Sequence, residues 1–363
     1  MKNKYIVQGV LGLILSGLAA CGIVRSLGEN PQGNDLSRLD SLSNYKDGWF
    51  QNDSARPKLL GRHNPFMALA GRRETLRPSY SLPWVSIDLN KLPAPAPTLV
   101  WFGHSSVLIK TEKANILIDP VFSDHAGPVP GLVTAFKGTT HYHAKDMPPI
   151  NVLIISHDHY DHLDYNTLKK LKDQITRIIA PVGVGSHLRY WGFDPAKIIE
   201  LNWNQTIELP NNLNITATAA QHRSNRTYKE ESKTLWASFV IKTGEYKIFY
   251  SGDSGYGGHF KQIGQKYGPF DLALLECGQY SPNWPWTHLQ FGETAQAAAD
   301  LQARMIQPVH WGKFAEGNHP WNEPIKMLIP SAKKLGIPVN APRIGEPYTL
   351  GDPPKTAVWW DFD

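Results

Sequence analysis

Ser156-His157-Asp158-His159-Tyr160-Asp161-His162 sets three imidazoles and two carboxylates within seven residues. Asn151-Val152-Leu153-Ile154-Ile155 runs directly into it. From Val152 onward that run is continuously apolar, as expected of a strand buried on both faces. A helical pattern follows from Tyr165 to Lys172. Side chains alternate along an extended segment, so His157 and His159 point the same way. The turn into the helix can then bring Asp161 and His162 to a neighbouring point. This spacing serves two metals better than one. A structural zinc site closes on four ligands, often Cys. Imidazole with carboxylate suits zinc, iron or manganese sites that keep open positions.

Working outward, Leu99-Val100-Trp101-Phe102, Ser106-Val107-Leu108-Ile109 and Ala114-Asn115-Ile116-Leu117-Ile118 read as strands. Further strands are expected at 177–180, 197–201, 213–219, 235–242, 247–250 and 272–276, and helices at 258–267, 292–305 and 323–335. Strands outnumber helices and the helices are spaced among them, so an α+β packing of two sheets with helices outside is the simplest arrangement. The chain has 363 residues, 41% of them hydrophobic and 19% charged, which excludes wholesale disorder. Two Cys cannot supply a disulfide framework or a Cys-based zinc finger, whereas fourteen His are ample for a His-based site. The net charge of +5 carries no long basic run, so no nucleic-acid partner is expected.

The N-terminus reads as an address. Lys2 and Lys4 precede an apolar stretch that ends Leu18-Ala19-Ala20-Cys21. This is a positive region, a short apolar core and a small-residue cleavage site. The ending resembles a bacterial lipoprotein box, with 1–20 the signal and Cys21 the lipidated mature N-terminus, which would bind membrane lipid through its acyl chains. Residues 21–48 then read as a flexible tether, 49–97 as a segment wrapping the core, 98–350 as the main domain and 351–363 as a C-terminal tail. Gly22 after the Cys, rather than Asp, resembles lipoproteins sent onward to the outer membrane, facing the periplasm.

The segment His157-Asp158-His159-Tyr160-Asp161-His162 resembles the signature of the metallo-β-lactamase superfamily. Ile118-Asp119-Pro120, Gln221-His222, Ser251-Gly252-Asp253-Ser254-Gly255 and Val309-His310-Trp311-Gly312 are similar to that superfamily's other motifs, in its order. The resemblance implies an αββα four-layer sandwich over residues 98–350. It also implies two divalent metal ions, with Zn2+ the expected species. His157, His159 and His222 would hold one ion, Asp161, His162 and His310 the other, and Asp253 would bridge both. Asp119 would orient a ligand from behind it. His104 is a candidate for the same role, against a reading as a satisfied core His. Trp101-Phe102-Gly103-His104-Ser105-Ser106, Tyr267-Gly268-Pro269-Phe270-Asp271-Leu272 and His310-Trp311-Gly312-Lys313-Phe314 are similar to the N-acylphosphatidylethanolamine-hydrolysing phospholipase D branch.

The implied chemistry is hydrolysis by a metal-bridged hydroxide, with Asp253 at the reacting centre. A phosphodiester suits such a site, an N-acylphosphatidylethanolamine-like phospholipid being the leading substrate class. In that branch a His lies near the metals, and the aromatic loop Gln279–His288 ends in one. His288 is therefore a candidate to contact substrate or donate a proton, against a reading as a helix cap. Metal ligands alone do not fix the scissile bond. A lactonase or other ester hydrolase is the enzymatic alternative. A non-catalytic metal-containing envelope lipoprotein is the alternative of a different class.

Overall fold

The computed structural model describes residues 22–54, 74–227, 231–281, 284–351 and 358–361. A short helix α1 (Asn34–Leu39) and a hairpin of β1 (Tyr45–Lys46) and β2 (Trp49–Phe50) precede the main body. There, β3 (Thr98–Trp101), β4 (Val107–Lys110), β5 (Asn115–Ile118), β6 (Ile150–Ile154), β7 (Ile175–Pro181) and β8 (Ile198–Leu201) form a sheet with the late strand β15 (Pro347–Thr349), in the order β15-β3-β4-β5-β6-β7-β8. The second sheet runs β14-β13-β12-β11-β10-β9, from β9 (Thr206–Leu209), β10 (Leu213–Thr218), β11 (Ser238–Thr243), β12 (Tyr246–Tyr250), β13 (Leu272–Glu276) and β14 (Ile306–Val309). Helices α2 (Tyr165–Leu171) and α3 (Val184–Tyr190) accompany the first sheet, with α3 packed on β7 and β8. Of α4 (His259–Tyr267), α5 (Glu293–Asp300) and α6 (Glu323–Lys334), the middle helix packs on β13 and on both its neighbours. This is an αββα sandwich of the metallo-β-lactamase kind.

The apolar run quoted first becomes β6, parallel to β5 on one side and β7 on the other. Val152, Leu153 and Ile154 are all buried, as a strand covered on both faces requires. Ile155 continues the ladder by donating to the Ile179 carbonyl, and the Ser156 carbonyl accepts from Ala237 N, just ahead of β11 in the second sheet. The two sheets are thus joined where the His-rich stretch begins, and one continuous apolar core fills the space between them.

Several elements differ from the sequence expectation. The strand expected at 235–242 starts only at Ser238, because Leu235 and Ala237 bond to the loop carbonyls of Val182 and Ser156 instead of a β10 partner. The helix expected at 292–305 ends at Asp300, since Gln302 turns with φ 58 to send the chain into β14. Helix α3 and strands β9, β14 and β15 were not expected. The tether reading of 21–48 is corrected over residues 22–48. Leu39 and Tyr45 are buried with Phe50 against Val182, Ala220, Leu235 and Trp236, each such side chain contributing about 1.5–3 kcal/mol. Ser26 accepts two hydrogen bonds from the buried Arg226 guanidinium through its carbonyl. The C-terminal tail is likewise anchored, with Trp359 and Trp360 buried against Trp311. Residues 1–21, with the expected signal and Cys21, lie outside the described residues, as do residues 55–73 of the expected wrapping segment.

Candidate metal centre

Strand direction gathers the site. Strands β3, β5 and β6 run one way in the first sheet, and β10, β12, β13 and β14 run together in the second. Their C-terminal ends meet at one edge of the sandwich. Each delivers a polar side chain just beyond its last residue or on it: His104 after β3, Asp119 after β5, His157 to His162 after β6, His222 after β10, Asp253 after β12, Glu276 at the end of β13 and His310 after β14. The residues span more than two hundred positions of sequence and occupy one buried cluster.

Two groups form there. One ligand atom each from His157, His159, His222 and Asp253 lie within 4.8 Å of one another, and so do those of His104, Asp161, His162 and His310. Asp253 faces both groups. Its Oδ2 is 3.7 Å from Nε2 of both His157 and His222 and 3.1 Å from Nε2 of His310, while Oδ1 is 3.2 Å from Nε2 of His162. Asp161 Oδ2 lies 3.2 Å from Nε2 of both His162 and His310. The second nitrogens of three of these rings are engaged elsewhere. His222 donates from Nδ1 to the Thr287 carbonyl at 2.9 Å, and His162 Nδ1 pairs with Asp119 Oδ2 at 2.7 Å. Their Nε2 lone pairs are thereby directed inward. His157 Nδ1 meets Ser156 Oγ at 3.0 Å.

The donor set fits divalent cations. His162 Nε2 and Asp253 Oδ1 are buried, close and yet make no hydrogen bond, so both aim at a third body rather than at each other. His159 Nδ1 stands 2.9 Å from His157 Nε2 and 3.2 Å from His222 Nε2. Three imidazole nitrogens converging in this way match a shared cation. Electrostatics agree. Burial, foremost, holds His157 and His222 well below the usual imidazole range and His159 at about 4, which keeps these rings neutral and ligand-ready. Burial also acts on His162 and His310, but Asp253, with Asp161, outweighs it and raises both. Burial disfavours the ionised carboxylates, yet the neighbouring rings, His162 first, keep Asp161 and Asp253 well below their ordinary value. The negative charge that attracts a proton here attracts a metal ion equally.

Asp119 accepts from Ser156 N at 2.8 Å, Ser156 Oγ at 2.5 Å and Tyr250 OH at 2.5 Å besides His162. His104 Nε2 donates to Asp161 Oδ2 at 2.9 Å, and its ring packs 4.2 Å from that of His310. His104, Asp119 and His310 all adopt φ between 38° and 64°, a region non-glycine residues enter at a cost of about 1–3 kcal/mol. Mutual bonds impose it on His104 and His310: His104 N donates to the Trp311 carbonyl and His310 N to the His104 carbonyl, both at 2.9 Å.

His288 does not stand as a helix cap. Its ring stacks on His310 at 5.2 Å and lies edge-on to His222 at 5.2 Å. Nδ1 donates to Glu276 Oε2 at 2.8 Å. Glu276, fully buried, also accepts from the Ser254 and Leu289 backbone N–H groups and lies 3.6 Å from His310 Nδ1. The sequence reading missed Glu276, although one carboxylate at the end of the buried run Leu272-Ala273-Leu274-Leu275 signals a partnered charge. Around His288 the aromatic loop exposes 43% of Trp286, and Phe291 just beyond it is 56% exposed, while Trp284 is half-buried with its Nε1 bonded to the Gln279 carbonyl. Pro282 and Asn283 of that loop lie outside the described residues.

Comparison with known proteins agrees with this architecture. The model of the beta-lactamase superfamily domain matches residues 114–311. An uncharacterized protein of Mycobacterium tuberculosis is 33% identical over 356 residues, 94% of this chain and 95% of its own. An N-acyl-phosphatidylethanolamine-hydrolyzing phospholipase D of Caenorhabditis elegans is 30% identical over 233 residues, 60% of this chain and 64% of its own. The outer membrane protein RomA of Klebsiella pneumoniae is 52% identical over 101 residues, 28% of this chain and 76% of its own. Among solved structures, an isothiocyanate hydrolase from Delia radicum gut bacteria superposes with a TM-score of 0.54 at 18% identity, over 69% of this chain and 98% of that one; it speaks to the fold alone.

Proposed function

The chain belongs to the beta-lactamase superfamily and is a metal-dependent hydrolase, and from that premise we propose that it works with two metal ions on a phosphodiester of phospholipid type. The observation that carries the proposal is the pair of donor groups facing a single carboxylate, Asp253. His157, His159 and His222 would hold one ion, Asp161, His162 and His310 the other, with Asp253 common to both. Zn2+ suits the imidazole-rich set. Two such ions, when bound, lower the pKa of water and neutralise charge that grows on an attacked phosphoryl group.

The chain's own residues do the rest. Asp119 fixes the ring of His162, Thr287 that of His222, and His104 holds Asp161. Glu276 accepts the Nδ1–H of His288 and orients the ring, so that Nε2, once it has taken up a proton from water, can pass that proton to the departing oxygen. Trp286 and Phe291, two residues before and three after His288 in the chain, present exposed apolar surface suited to acyl chains. The phospholipid substrate is favoured by the relative in Caenorhabditis elegans. A lipid anchor at Cys21 and an outer-membrane location, in keeping with the likeness to RomA, would set the site close to such a substrate.

The test is a screen of the purified, metal-loaded protein against vesicles containing N-acylphosphatidylethanolamine, bis-p-nitrophenyl phosphate and a lactone. Chelator-sensitive release of phosphatidic acid or p-nitrophenol is the expected result. Turnover of the lactone alone would move the assignment to a lactonase, and turnover of nothing by fully loaded protein would favour a binding lipoprotein.

A further inference from the structure

We infer that Asn52 is a positioning residue of the metal centre, clamping the backbone of His222 and making the N-terminal segment part of the site. The inference rests on the reading of His222 as a metal ligand. Asn52 Nδ2 donates to the His222 carbonyl at 2.9 Å, and the His222 N–H donates to Asn52 Oδ1 at 3.0 Å. One side-chain amide thus meets both backbone groups of the residue, as a neighbouring strand would. Trp236 Nε1 donates to the same Oδ1 at 3.1 Å. Two residues on, Ser54 Oγ donates to Gln221 Oε1 at 2.5 Å.

The need for a clamp follows from where His222 sits. His157 comes three residues after β6, Asp253 three after β12 and His310 directly after β14, each close to a ladder. His222 comes four residues after β10 ends at Thr218, in the irregular passage before β11 begins at Ser238. Buried backbone N–H and C=O groups in such a passage need partners from elsewhere. Thr287 fixes the ring of His222 from one side; Asn52 fixes its main chain from the other. The segment carrying Asn52 is itself fastened to the same passage. Phe50 N donates to the Ser232 carbonyl at 2.8 Å, and Lys233 Nζ to the Gly48 carbonyl at 2.8 Å.

The experiment compares the full-length protein with Asn52→Ala, Asn52→Asp and Arg38→Ala. Each is loaded with Zn2+ and titrated with a chromophoric chelator, and ions released per chain are counted. Asn52→Ala is expected to weaken one ion of the pair by about 10–100-fold, the usual effect of losing a residue that orients a ligand. Asn52→Asp keeps the acceptor for the His222 N–H but not the donor for its carbonyl, and should fall between. Arg38→Ala cuts the 2.6 Å pair with Glu200 on the same segment, away from His222, and should hold zinc as the wild type does. Wild-type affinity in Asn52→Ala would overturn the inference. So would equal weakening in Arg38→Ala, which would make the effect a general loosening of the segment. If Asn52→Ala does not fold, wild-type affinity in Asn52→Asp overturns it in the same way. A wild type that binds no zinc fails the metal-centre reading itself, and the inference with it.

Discussion

Glu276→Gln separates the chemistry of His288 from its packing. The carboxylate accepts three N–H groups, from Ser254, Leu289 and His288 Nδ1. An amide of the same shape keeps its oxygen on the two backbone donors and turns its NH2 toward the ring. His288 must then give up its Nδ1 proton to accept from that NH2, and the negative charge that steadies an imidazolium is gone. The fold should tolerate the change. Burial already raises the Glu276 pKa, so a neutral group costs little there, and one charge-assisted bond exchanged for a neutral one is worth about 1 kcal/mol. Catalysis should not tolerate it. Loss of a positioned proton donor lowers turnover about 10²–10⁴-fold, or about 2.7–5.4 kcal/mol in the barrier. The assay pairs metal content with kcat on whichever ester the substrate screen identifies. Full metal occupancy with kcat reduced in that range is the expected outcome. Unchanged kcat would make His288 a packing residue, and loss of metal would make Glu276 a ligand, since it also stands within 4.8 Å of Asp253, His288 and His310 donor atoms.

Asp119→Asn should leave His162 without its charged partner and weaken zinc binding about 10–100-fold, read by chelator competition; unchanged affinity would remove Asp119 from the account. The metal-free protein should lose stability as pH falls from about 6.5 toward 4. Burial depresses His157, His159, His222, His104 and His259, with His159 and His259 at about 4 and His104 at about 3, so the unfolded chain binds more protons in that window. His162 and His310 are raised and act oppositely, contributing below 6.5 and losing that contribution as pH rises, but they are outnumbered. A urea midpoint that climbs between pH 7 and 4.5 would contradict this balance. Cys21→Ala should move the protein expressed in a Gram-negative host from the membrane to the soluble fraction; unchanged membrane attachment would refute the lipid anchor.

The sandwich and the clustering of polar residues at its edge are legible because their signals are local. A strand covered on both faces must be apolar throughout, and the polar residues that follow it stand out against that run, as His157 to His162 do after Ile154. Single candidate ligands such as His222 and His310 carry no such contrast of their own and are readable only through the resemblance of their flanking residues. Helix α3 escaped because five of its seven residues are buried, the polar Ser186 and His187 among them, so its sequence does not divide into an apolar and a polar face. Strand β14 contains Pro308, which argues against a strand when the chain is read alone. Asn52 escaped for a different reason. Its role depends on a contact with a residue 170 positions away, and nothing within residues 49–54 distinguishes an amide that clamps a ligand from one that meets water. The tether was misread because a few apolar residues, Leu39, Tyr45 and Phe50, suffice to dock a polar segment when the body offers Trp236 and its neighbours as a partner surface.

Two ions held by two donor groups that share Asp253 are what the proposed chemistry rests on. Elemental analysis of the purified protein, after exchange into metal-free buffer, tests for them most directly. Close to two transition-metal ions per chain are expected, falling together when Asp253 is replaced by Asn. Protein that carries no metal after zinc loading, or that keeps one ion per chain regardless of Asp253, would contradict that arrangement.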